Sequence, residues 1–261
     1  MNLSLEGKTA LVCGSSQGIG LAVAEELALM GANCILLARN EDNLKKAVHQ
    51  LDSSLRQSHC YYSIDFSDRE ATRRLIKDLT ATQTIHILVN NSGGPKAGAI
   101  LEAEEDQFLR AFEQHLLVDH ILVTHVMEGM KKEGYGRIIN IISTSVKIPL
   151  PNLGVSNTIR GAVASWAKTL SYELAPFGIT VNNVLPGFTE TERLQSLIQH
   201  NAQVKKRSAE QEAEMMRHDV PAKRFGTASE IAAMAAFLAT PAAAYVNGTS
   251  IPVDGGRTGS I

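Results

Sequence analysis

Short apolar runs alternate with segments of helical periodicity along the whole chain, and this alternation restricts the fold more than any other feature. Apolar runs of strand length lie at residues 9–13, 34–37, a stretch ending near 64, 85–89, 137–142, 181–185 and 249–253. Strands that are apolar throughout are buried on both faces, as in a parallel sheet covered by helices. Right-handed crossovers then predict an α/β fold: a doubly wound parallel sheet of about seven strands with helices on both faces.

Composition excludes several classes of protein. The 25 Lys and Arg residues nearly balance the 27 Asp and Glu residues, so the net charge is −2 and no basic surface for nucleic acid is expected. The three cysteines, Cys13, Cys34 and Cys60, form no Cys-x-x-Cys spacing. The absence of this spacing argues against a zinc site or a disulfide scaffold and for a reducing compartment. We therefore expect no metal and no nucleic-acid partner.

The chain shows no targeting or membrane signal. Its N-terminus lacks a basic stretch followed by an apolar core, so we expect no signal peptide. The weakly polar run at 231–246 is interrupted by Thr240-Pro241 and is too short to span a bilayer. With 44% hydrophobic residues and no linker or repeat, the sequence predicts a single cytoplasmic domain over residues 1–261 without a membrane partner.

Turn and cap residues mark helix boundaries. Ile19, Val23 and Leu27 form one apolar stripe, Gly31 suits the end of that helix, and Ser67 is predicted to cap a later one. Residues 190–218, here called the lid segment, are unusually polar and follow a strand end. They are interpreted either as a solvated helical excursion or as a lid over a substrate pocket; we favour the lid, because ligands bind beyond strand ends in such sheets.

A glycine-rich loop follows the first predicted strand. Gly14, Gly18 and Gly20 are spaced G-x-x-x-G-x-G between a strand and a helix, which is the context of a dinucleotide-binding loop. Gly14 permits a tight turn, Gly18 lets the backbone approach a pyrophosphate, and Gly20 allows close helix packing. The helix N-terminus then offers free N–H groups to the phosphates.

The end of the second predicted strand indicates which dinucleotide binds. NAD-binding sheets place an acid there for the ribose 2′-hydroxyl, but here Arg39 precedes the first acid, Glu41. A guanidinium suits a 2′-phosphate, so NADP(H) is favoured over NAD(H). The alternative is that Arg39 is only a solvated surface arginine.

Five motifs in order resemble those of the short-chain dehydrogenase/reductase family, and look most like its 3-oxoacyl-[acyl-carrier-protein] reductase-like branch. They are the Gly14–Gly20 loop with Cys13 in place of Thr, Ile64-Asp65, Asn90-Asn91-Ser92-Gly93, Pro186-Gly187-Phe188-Thr189 and Val253-Asp254-Gly255-Gly256. The resemblance implies a Rossmann fold, a homotetramer and a cofactor bound by the following residues: Gly14, Ser16, Gln17, Gly18, Ile19, Gly20, Arg39, Asp65, Phe66, Asn91, Gly93, Pro186, Gly187 and Thr189.

The catalytic motif departs from the family pattern. The family carries Tyr-x-x-x-Lys on the helix after the fifth strand, a Ser about a dozen residues earlier and an Asn on the preceding helix. Ser143 occupies the Ser position, whereas Ser156, Arg160 and His115 occupy the Tyr, Lys and Asn positions. No other tyrosine is predicted to replace the missing one: Tyr172 lies roughly 24 Å along the same helix, and Tyr135 lies at the wrong end of the sheet.

The replacements change the chemistry that the site can perform. Ser156 is a far weaker acid than a phenol, and Arg160 stays protonated, although it can hold ribose hydroxyls and supply positive charge. Ser143 is expected to polarise the substrate oxygen, Ser156 to hold a water or that oxygen, and His115 to be the titrating group. The alternatives are that His115 is a packing histidine beside Phe112 and that Ser156 is a cap or surface hydroxyl.

Two hypotheses for function follow. The first is an NADP-dependent oxidoreductase that transfers hydride between nicotinamide and a small carbonyl or alcohol substrate, such as a 3-oxoacyl thioester, through a modified site. The second is a catalytically degenerate dinucleotide-binding protein that acts as a sensor or structural partner. We favour the enzyme, because Ser143 and the Pro186–Thr189 motif persist. We also expect a homotetramer, because the helix around Trp166 carries more apolar residues than one sheet-facing stripe needs. The additional ones include Val155, Ile159 and Ala164.

Overall fold

The computed structural model of the chain describes residues 1–260, which fold around one seven-stranded sheet. The strands are β1 (Thr9–Cys13), β2 (Asn33–Ala38), β3 (Cys60–Ser63), β4 (Ile87–Asn90), β5 (Gly136–Ile141), β6 (Ile179–Pro186) and β7 (Ser250–Val253). The helices are α1 (Gly18–Leu29), α2 (Glu41–Gln50), α3 (Arg69–Thr82), α4 (Glu105–Phe112), α5 (Val118–Glu133), α6 (Gly154–Leu174), α7 (Glu192–Val204), α8 (Ala209–His218) and α9 (Ala228–Ala239).

The sheet is parallel throughout, in the order β3-β2-β1-β4-β5-β6-β7. This confirms the predicted doubly wound α/β fold and the number of strands. The order reverses between β1 and β4, so the crevice at the carboxyl ends of these two strands is the position where such sheets bind ligands. Both edge strands depart from the expectation of fully buried strands: Tyr62 and Ser63 of β3 are exposed, and β7 has an exposed Pro252 between partly buried residues.

Two apolar layers cover the sheet, and alternating strand residues supply them. Ala10 and Val12 of β1 pack with α1, α2 and α9 on one face, whereas Leu11 and Cys13 pack with α3, α5 and α6 on the other. All five residues of β1 are buried. The burial of both faces is the physical reason why the strands carry continuous apolar runs.

The surplus apolar residues of α6 are accounted for within a single chain. Val155 and Ile159 are buried against Ala111 and Phe108 of the α4 region, and Ala164 packs beside Val163. Our use of these residues as evidence for a tetramer was therefore wrong. The tetramer itself stays a prediction that depends on the family resemblance.

Helix boundaries follow the predicted signals with one correction. Gly31 lies just beyond α1 with φ of +98°, as expected for a glycine that ends a helix. The cap of α3 is Asp68 and not Ser67: the Asp68 carboxylate accepts from the Ala71 N–H at 2.8 Å. Ser67 instead donates its backbone N–H to Asp65 at 2.9 Å.

The lid segment forms α7 and α8, which share a small apolar cluster of Leu194, Met216 and Phe225. Its charges are not all solvated. Glu212 is 1% exposed and pairs with Lys205 at 2.8 Å and with Arg207 at 3.0 Å. Lys205 and Arg207, two members of the basic run Lys205-Lys206-Arg207, therefore hold the turn between α7 and α8 together.

Residues 1–260 contain no helix long and apolar enough to cross a membrane. The same residues contain no cluster of three His, Cys, Asp or Glu side chains arranged to hold a metal ion. All three cysteines are free thiols.

Candidate active site

Two adjoining clefts open at the carboxyl ends of the strands. The β1–β2 cleft has a volume of about 550 Å³ and lies between the glycine loop, the end of β2 and the end of β3. The β5–β6 cavity, of about 200 Å³, lies beyond the ends of β5 and β6 and beside α7. Ser92 and Gly94, which follow β4, line both. The two clefts thus meet at the reversal point of the sheet.

The glycine loop is braced by the segment after β4. Gly14 has φ of +59°, and a Cβ there would lie 2.5 Å from the Asn91 carbonyl oxygen, so only glycine fits. Asn91 Nδ2 donates to the Cys13 and Gly14 carbonyls at 3.3 and 3.2 Å. A Cβ on Gly20 would lie 2.2 Å from the Gly14 carbonyl oxygen, so this glycine packs the helix against the loop.

The loop leads directly into the N-terminus of α1. Gln17 stands at the cap position without a side-chain capping bond, which leaves backbone N–H groups of the first turn for an anion. Gly18 has φ of +60° and only Thr191 near its Cβ position, at 3.6 Å, so the backbone here is open to close approach. These features fit the pyrophosphate of a dinucleotide.

The structure divides the predicted cofactor contacts between the clefts. Those that line the β1–β2 cleft are Gly14, Ser16, Gln17, Arg39, Asp65, Phe66 and Gly93. Those that line the β5–β6 cavity are Ile19, Asn91, Pro186, Gly187 and Thr189. Gly18 and Gly20 line neither and shape the loop. Hydrogen bonding to Ser67 lowers the pKa of the Asp65 carboxyl, with a smaller contribution from the Arg39 charge.

Three of the four predicted catalytic positions meet in the β5–β6 cavity. Ser143, Ser156 and Arg160 all line it, together with Pro186–Thr189. Ser143 Oγ accepts the Ser145 N–H at 3.1 Å, which leaves its own hydroxyl hydrogen available to another acceptor. Ser156 lies in the first turn of α6 and is 7% exposed. A surface role for Ser156 is thereby excluded.

Arg160 ties α6 to two strand ends. Its Nη1 donates to the Ile141 carbonyl at 3.2 Å and its Nη2 to the Ser92 carbonyl at 3.4 Å. Burial lowers the pKa of Arg160 to about 10, Asp119 opposes that shift, and Arg193 adds to it. The guanidinium therefore remains charged at neutral pH, as predicted, and is fixed beside the cavity.

His115 does not line the cavity, which argues against its predicted role as the titrating group. It lies in a π-helical turn, Glu113–Leu117, between α4 and α5 and is 1% exposed. Burial, reinforced by the charges of Arg160 and Arg193, lowers its pKa to about 3. The imidazole is consequently neutral near pH 7. Its Nδ1 contacts Ser92 Oγ at 2.7 Å, so His115 orients a residue that lines both clefts.

The described residues place no tyrosine at the β5–β6 cavity. Tyr135 precedes β5 and donates its hydroxyl to the Ala239 carbonyl, which confirms its place at the opposite end of the sheet. Tyr172 and Tyr245 are exposed. The cavity is also lined by Arg193 and Arg257, two arginines that we did not predict from the sequence. The only signal for Arg193 was its place in the lid segment directly after a strand end.

The glycine loop at the reversal point and the adjoining cavity define a Rossmann-type dinucleotide-binding protein. A family model described as enoyl-(acyl carrier protein) reductase matches residues 14–258. The chain is 34% identical to the 3-oxoacyl-[acyl-carrier-protein] reductase FabG of Vibrio cholerae over 257 residues, covering 97% of this chain and 98% of that protein. It is 30% identical to the NADPH-dependent reductase BacG of Bacillus subtilis over 256 residues, covering 97% and 99%.

The fold comparison agrees with these relatives. The crystal structure of L-sorbose reductase from Gluconobacter frateurii, complexed with NADPH and L-sorbose, superposes with a TM-score of 0.93 at 28% identity and covers 100% of both chains. The chain belongs to the short-chain dehydrogenase/reductase family.

Proposed function

We propose that the protein is an NADP(H)-dependent oxidoreductase that acts on a small carbonyl or alcohol substrate through a modified catalytic site. The observation that carries this proposal is that Ser143, Ser156 and Arg160 line one cavity with Pro186–Thr189. The family supports it, since its named members include reductases from Vibrio cholerae and Bacillus subtilis. When bound, the cofactor supplies or accepts the hydride.

The β1–β2 cleft has the features that hold an adenine dinucleotide phosphate. Because Gly14 has no side chain, the loop leaves space that a side chain would fill. The first turn of α1 offers N–H groups to the pyrophosphate. Arg39 lines the cleft beside Asn40 and Asn43 and forms no ion pair within residues 1–260. Its guanidinium is therefore available to a 2′-phosphate.

The residues of the cavity divide the work on the substrate oxygen. Ser143 keeps a free hydroxyl hydrogen, so it donates to the oxygen as negative charge develops there. Arg160 contributes a fixed positive charge beside the cavity. Ser156, a weak acid, is proposed to hold a water that delivers the proton to the alkoxide and regains one from bulk solvent. His115 holds Ser92 and does not act on the substrate oxygen directly, because it lies outside the cavity.

The lid segment is proposed to cover this substrate. Arg193 of α7 donates to the carbonyls of Gly94 and Pro95 at 3.1 and 3.2 Å, and Gln17 of the glycine loop donates to Glu192 at 2.8 Å. The first turn of α7 therefore contacts both the glycine loop and the segment after β4, and residues from it shield the cavity from water.

A panel of small ketones, oxo acids and acyl thioesters, with NADPH oxidation and product formation measured together, tests the proposal. The wild type is expected to turn over at least one carbonyl, and Ser143→Ala to reduce kcat by about 100-fold, the range for losing one oxyanion donor. Ser53→Ala is the matched control and should leave kcat unchanged, because Ser53 is exposed in the loop between α2 and β3 and lines neither cleft. Turnover that Ser143→Ala leaves unchanged contradicts the proposed role of Ser143.

A second candidate function is cofactor binding without hydride chemistry. The observation that favours it is the lack of a tyrosine hydroxyl at the cavity among residues 1–260. Under this alternative the protein binds NADPH with ordinary affinity and produces no alcohol from any carbonyl in the panel. Calorimetry with NADPH, run beside the product assay, separates the two.

A further inference from the structure

Three arginines line the β5–β6 cavity, and no acidic residue among the described ones does. Arg160 of α6 is buried, Arg193 of α7 is exposed, and Arg257, which follows β7, is partly buried. Three cations around one cavity of about 200 Å³ form a strongly positive site. A positive, partly water-excluded site favours an anionic ligand.

Two of these cations converge on one point. A Cβ built on Gly94 would lie 2.7 Å from Arg193 Nη2 and 3.5 Å from Arg160 Nη2, so both guanidiniums approach the same glycine. Like charges this close repel each other, and neither has a carboxylate within ion-pair distance among residues 1–260. Their hydrogen bonds go only to neutral carbonyls: Ile141 and Ser92 for Arg160, Gly94 and Pro95 for Arg193.

Arg257 is held by an aromatic ring and not by an acid. Its guanidinium carbon lies 4.1 Å from the ring centroid of Phe188, within the range of a cation–π contact. Within the described residues it forms no ion pair. Burial lowers the pKa of Arg257, and the nearby charges of Asp219 and Asp254 oppose that shift. The contact with Phe188 orients the guanidinium while leaving its N–H groups free to bind a ligand.

The rest of the cavity wall is apolar. Leu150, Leu153 and Leu197 line it. A neighbouring pocket that contains Lys96 shares Leu153, Leu197 and Arg193. A ligand that matches this wall has an apolar body and one anionic group. Because the serines that act on the carbonyl oxygen line the same small cavity, the anionic group lies only a few atoms from that carbonyl.

We propose that the substrate is a small oxo acid, or the corresponding hydroxy acid, whose carboxylate is bound by Arg193 and Arg257. Guanidinium forks match carboxylates in bidentate geometry, and the bound charge relieves the repulsion between Arg160 and Arg193. This inference deepens the proposed function and depends on it for the chemistry, but the binding of the carboxylate can be measured separately. It makes an oxo acid, and not a neutral 3-oxoacyl thioester, the preferred substrate class.

Benzoylformate and its methyl ester are a suitable probe pair, because they share the carbonyl and the ring and differ in the charge. We expect the wild type to show a kcat/KM at least about 10-fold higher for the acid than for the ester. Arg193→Met is expected to remove most of that preference by lowering only the value for the acid, and Arg193→Lys to restore part of it. Arg74→Met, at an exposed position of α3, is the matched control and should behave as wild type.

Calorimetry provides a readout that does not need turnover. Benzoylformate should bind the protein saturated with NADP⁺, and Arg193→Met and Arg257→Met should each weaken that binding about 10-fold while NADPH affinity stays within about two-fold. Loss of NADPH affinity in Arg193→Met would assign this arginine to the cofactor pyrophosphate and overturn the inference. Equal kcat/KM for acid and ester, unaffected by Arg193, would overturn it while leaving the reductase intact. Arginine-dependent binding without any turnover would support the inference and overturn the proposed function.

Discussion

His115 is the side chain whose environment most changes its expected chemistry. An imidazole at this position in solution would titrate near neutral pH, but here it is enclosed by protein and lies near two guanidiniums, so its pKa falls to about 3. A neutral imidazole can still hold Ser92 by a hydrogen bond of 2.7 Å. His115 is therefore a positioning residue, and its charge does not change in the pH range where the enzyme is expected to work.

The first prediction is that His115 makes folding stability depend on pH. Because its pKa is lower in the folded chain than the ordinary value of 6.5, the unfolded chain binds more protons, so stability is full above about pH 6.5 and is lost as the pH falls toward 3. Between about pH 7 and pH 5 the wild type should lose roughly 2 kcal/mol more than His115→Asn. Urea unfolding of both proteins at the two pH values measures this difference. Equal losses would show that the histidine titrates normally.

The second prediction concerns Arg39 and the choice of cofactor. With no acid at the end of β2 and an unpaired guanidinium in the β1–β2 cleft, the wild type should bind NADPH more tightly than NADH. Arg39→Ala should weaken NADPH binding by about 10-fold or more and leave NADH binding nearly unchanged, because only NADPH carries the 2′-phosphate. Calorimetry with both cofactors tests this, and equal wild-type affinities would refute it.

At this scale the sequence predicts residues tied to local geometry and misses those that depend on packing. Gly14 and Ser143 were predictable because a strand end fixes the backbone around them. Arg193 was not, because its place at the cavity follows from the angle at which α7 returns across the strand ends. The charge of His115 also depends on neighbours far along the chain, which no spacing reveals.

Four strands beneath the site are joined by a ladder of three buried amides that ends on a serine hydroxyl. Asn90 donates to Asn140 at 2.8 Å, Asn140 donates to Asn183 at 2.9 Å, and Asn183 donates to Ser250 at 3.0 Å. Each pair lies directly in register across β4, β5, β6 and β7. The ladder fixes the register between β4 and β5 and so helps to position Ser92 and Ser143, which follow these two strands.

The third prediction is that Asn140→Leu is destabilising. The substitution keeps the volume but leaves the Asn90 amide and the Asn183 carbonyl without their partners inside the sheet, which costs about 2–4 kcal/mol for two buried groups. Gln50→Leu, at an exposed position of α2, provides a control that removes an amide from the surface. Chemical unfolding of the two variants should differ by that amount; a loss below about 0.5 kcal/mol for Asn140→Leu would mean that the ladder contributes little.

At the scale of elements, apolar periodicity predicted the strands well, because burial on both faces leaves a continuous apolar run. The lid segment was harder to interpret from composition. Its basic run resembled a solvated surface, yet Glu212 is buried between Lys205 and Arg207. The pattern of charges along the sequence does not show which acidic residue will form a buried ion pair with the basic run.

For the whole molecule, the fourth prediction is a homotetramer. It depends on the family resemblance alone, because Val155 and Ile159 of α6 are already covered by α4. Leu109 and Phe112 of α4 remain exposed on one chain. Light scattering at micromolar concentration should give four times the chain mass of 28.2 kDa. A measured mass equal to that of one chain would contradict the tetramer and would leave the proposed site unaffected.

The central claim is that this cavity reduces a carbonyl without the Tyr-x-x-x-Lys pair. The measurement that tests it most directly is NADPH-dependent product formation by the wild type, by Ser143→Ala and by the double variant Ser156→Tyr with Arg160→Lys. The account predicts that the wild type forms the alcohol product, that Ser143→Ala loses about 100-fold in kcat, and that the wild-type rate follows no histidine titration between about pH 6 and pH 8. A wild type that binds NADPH but forms no product, beside a double variant that does, would contradict it and identify a dinucleotide-binding relative that has lost the reaction.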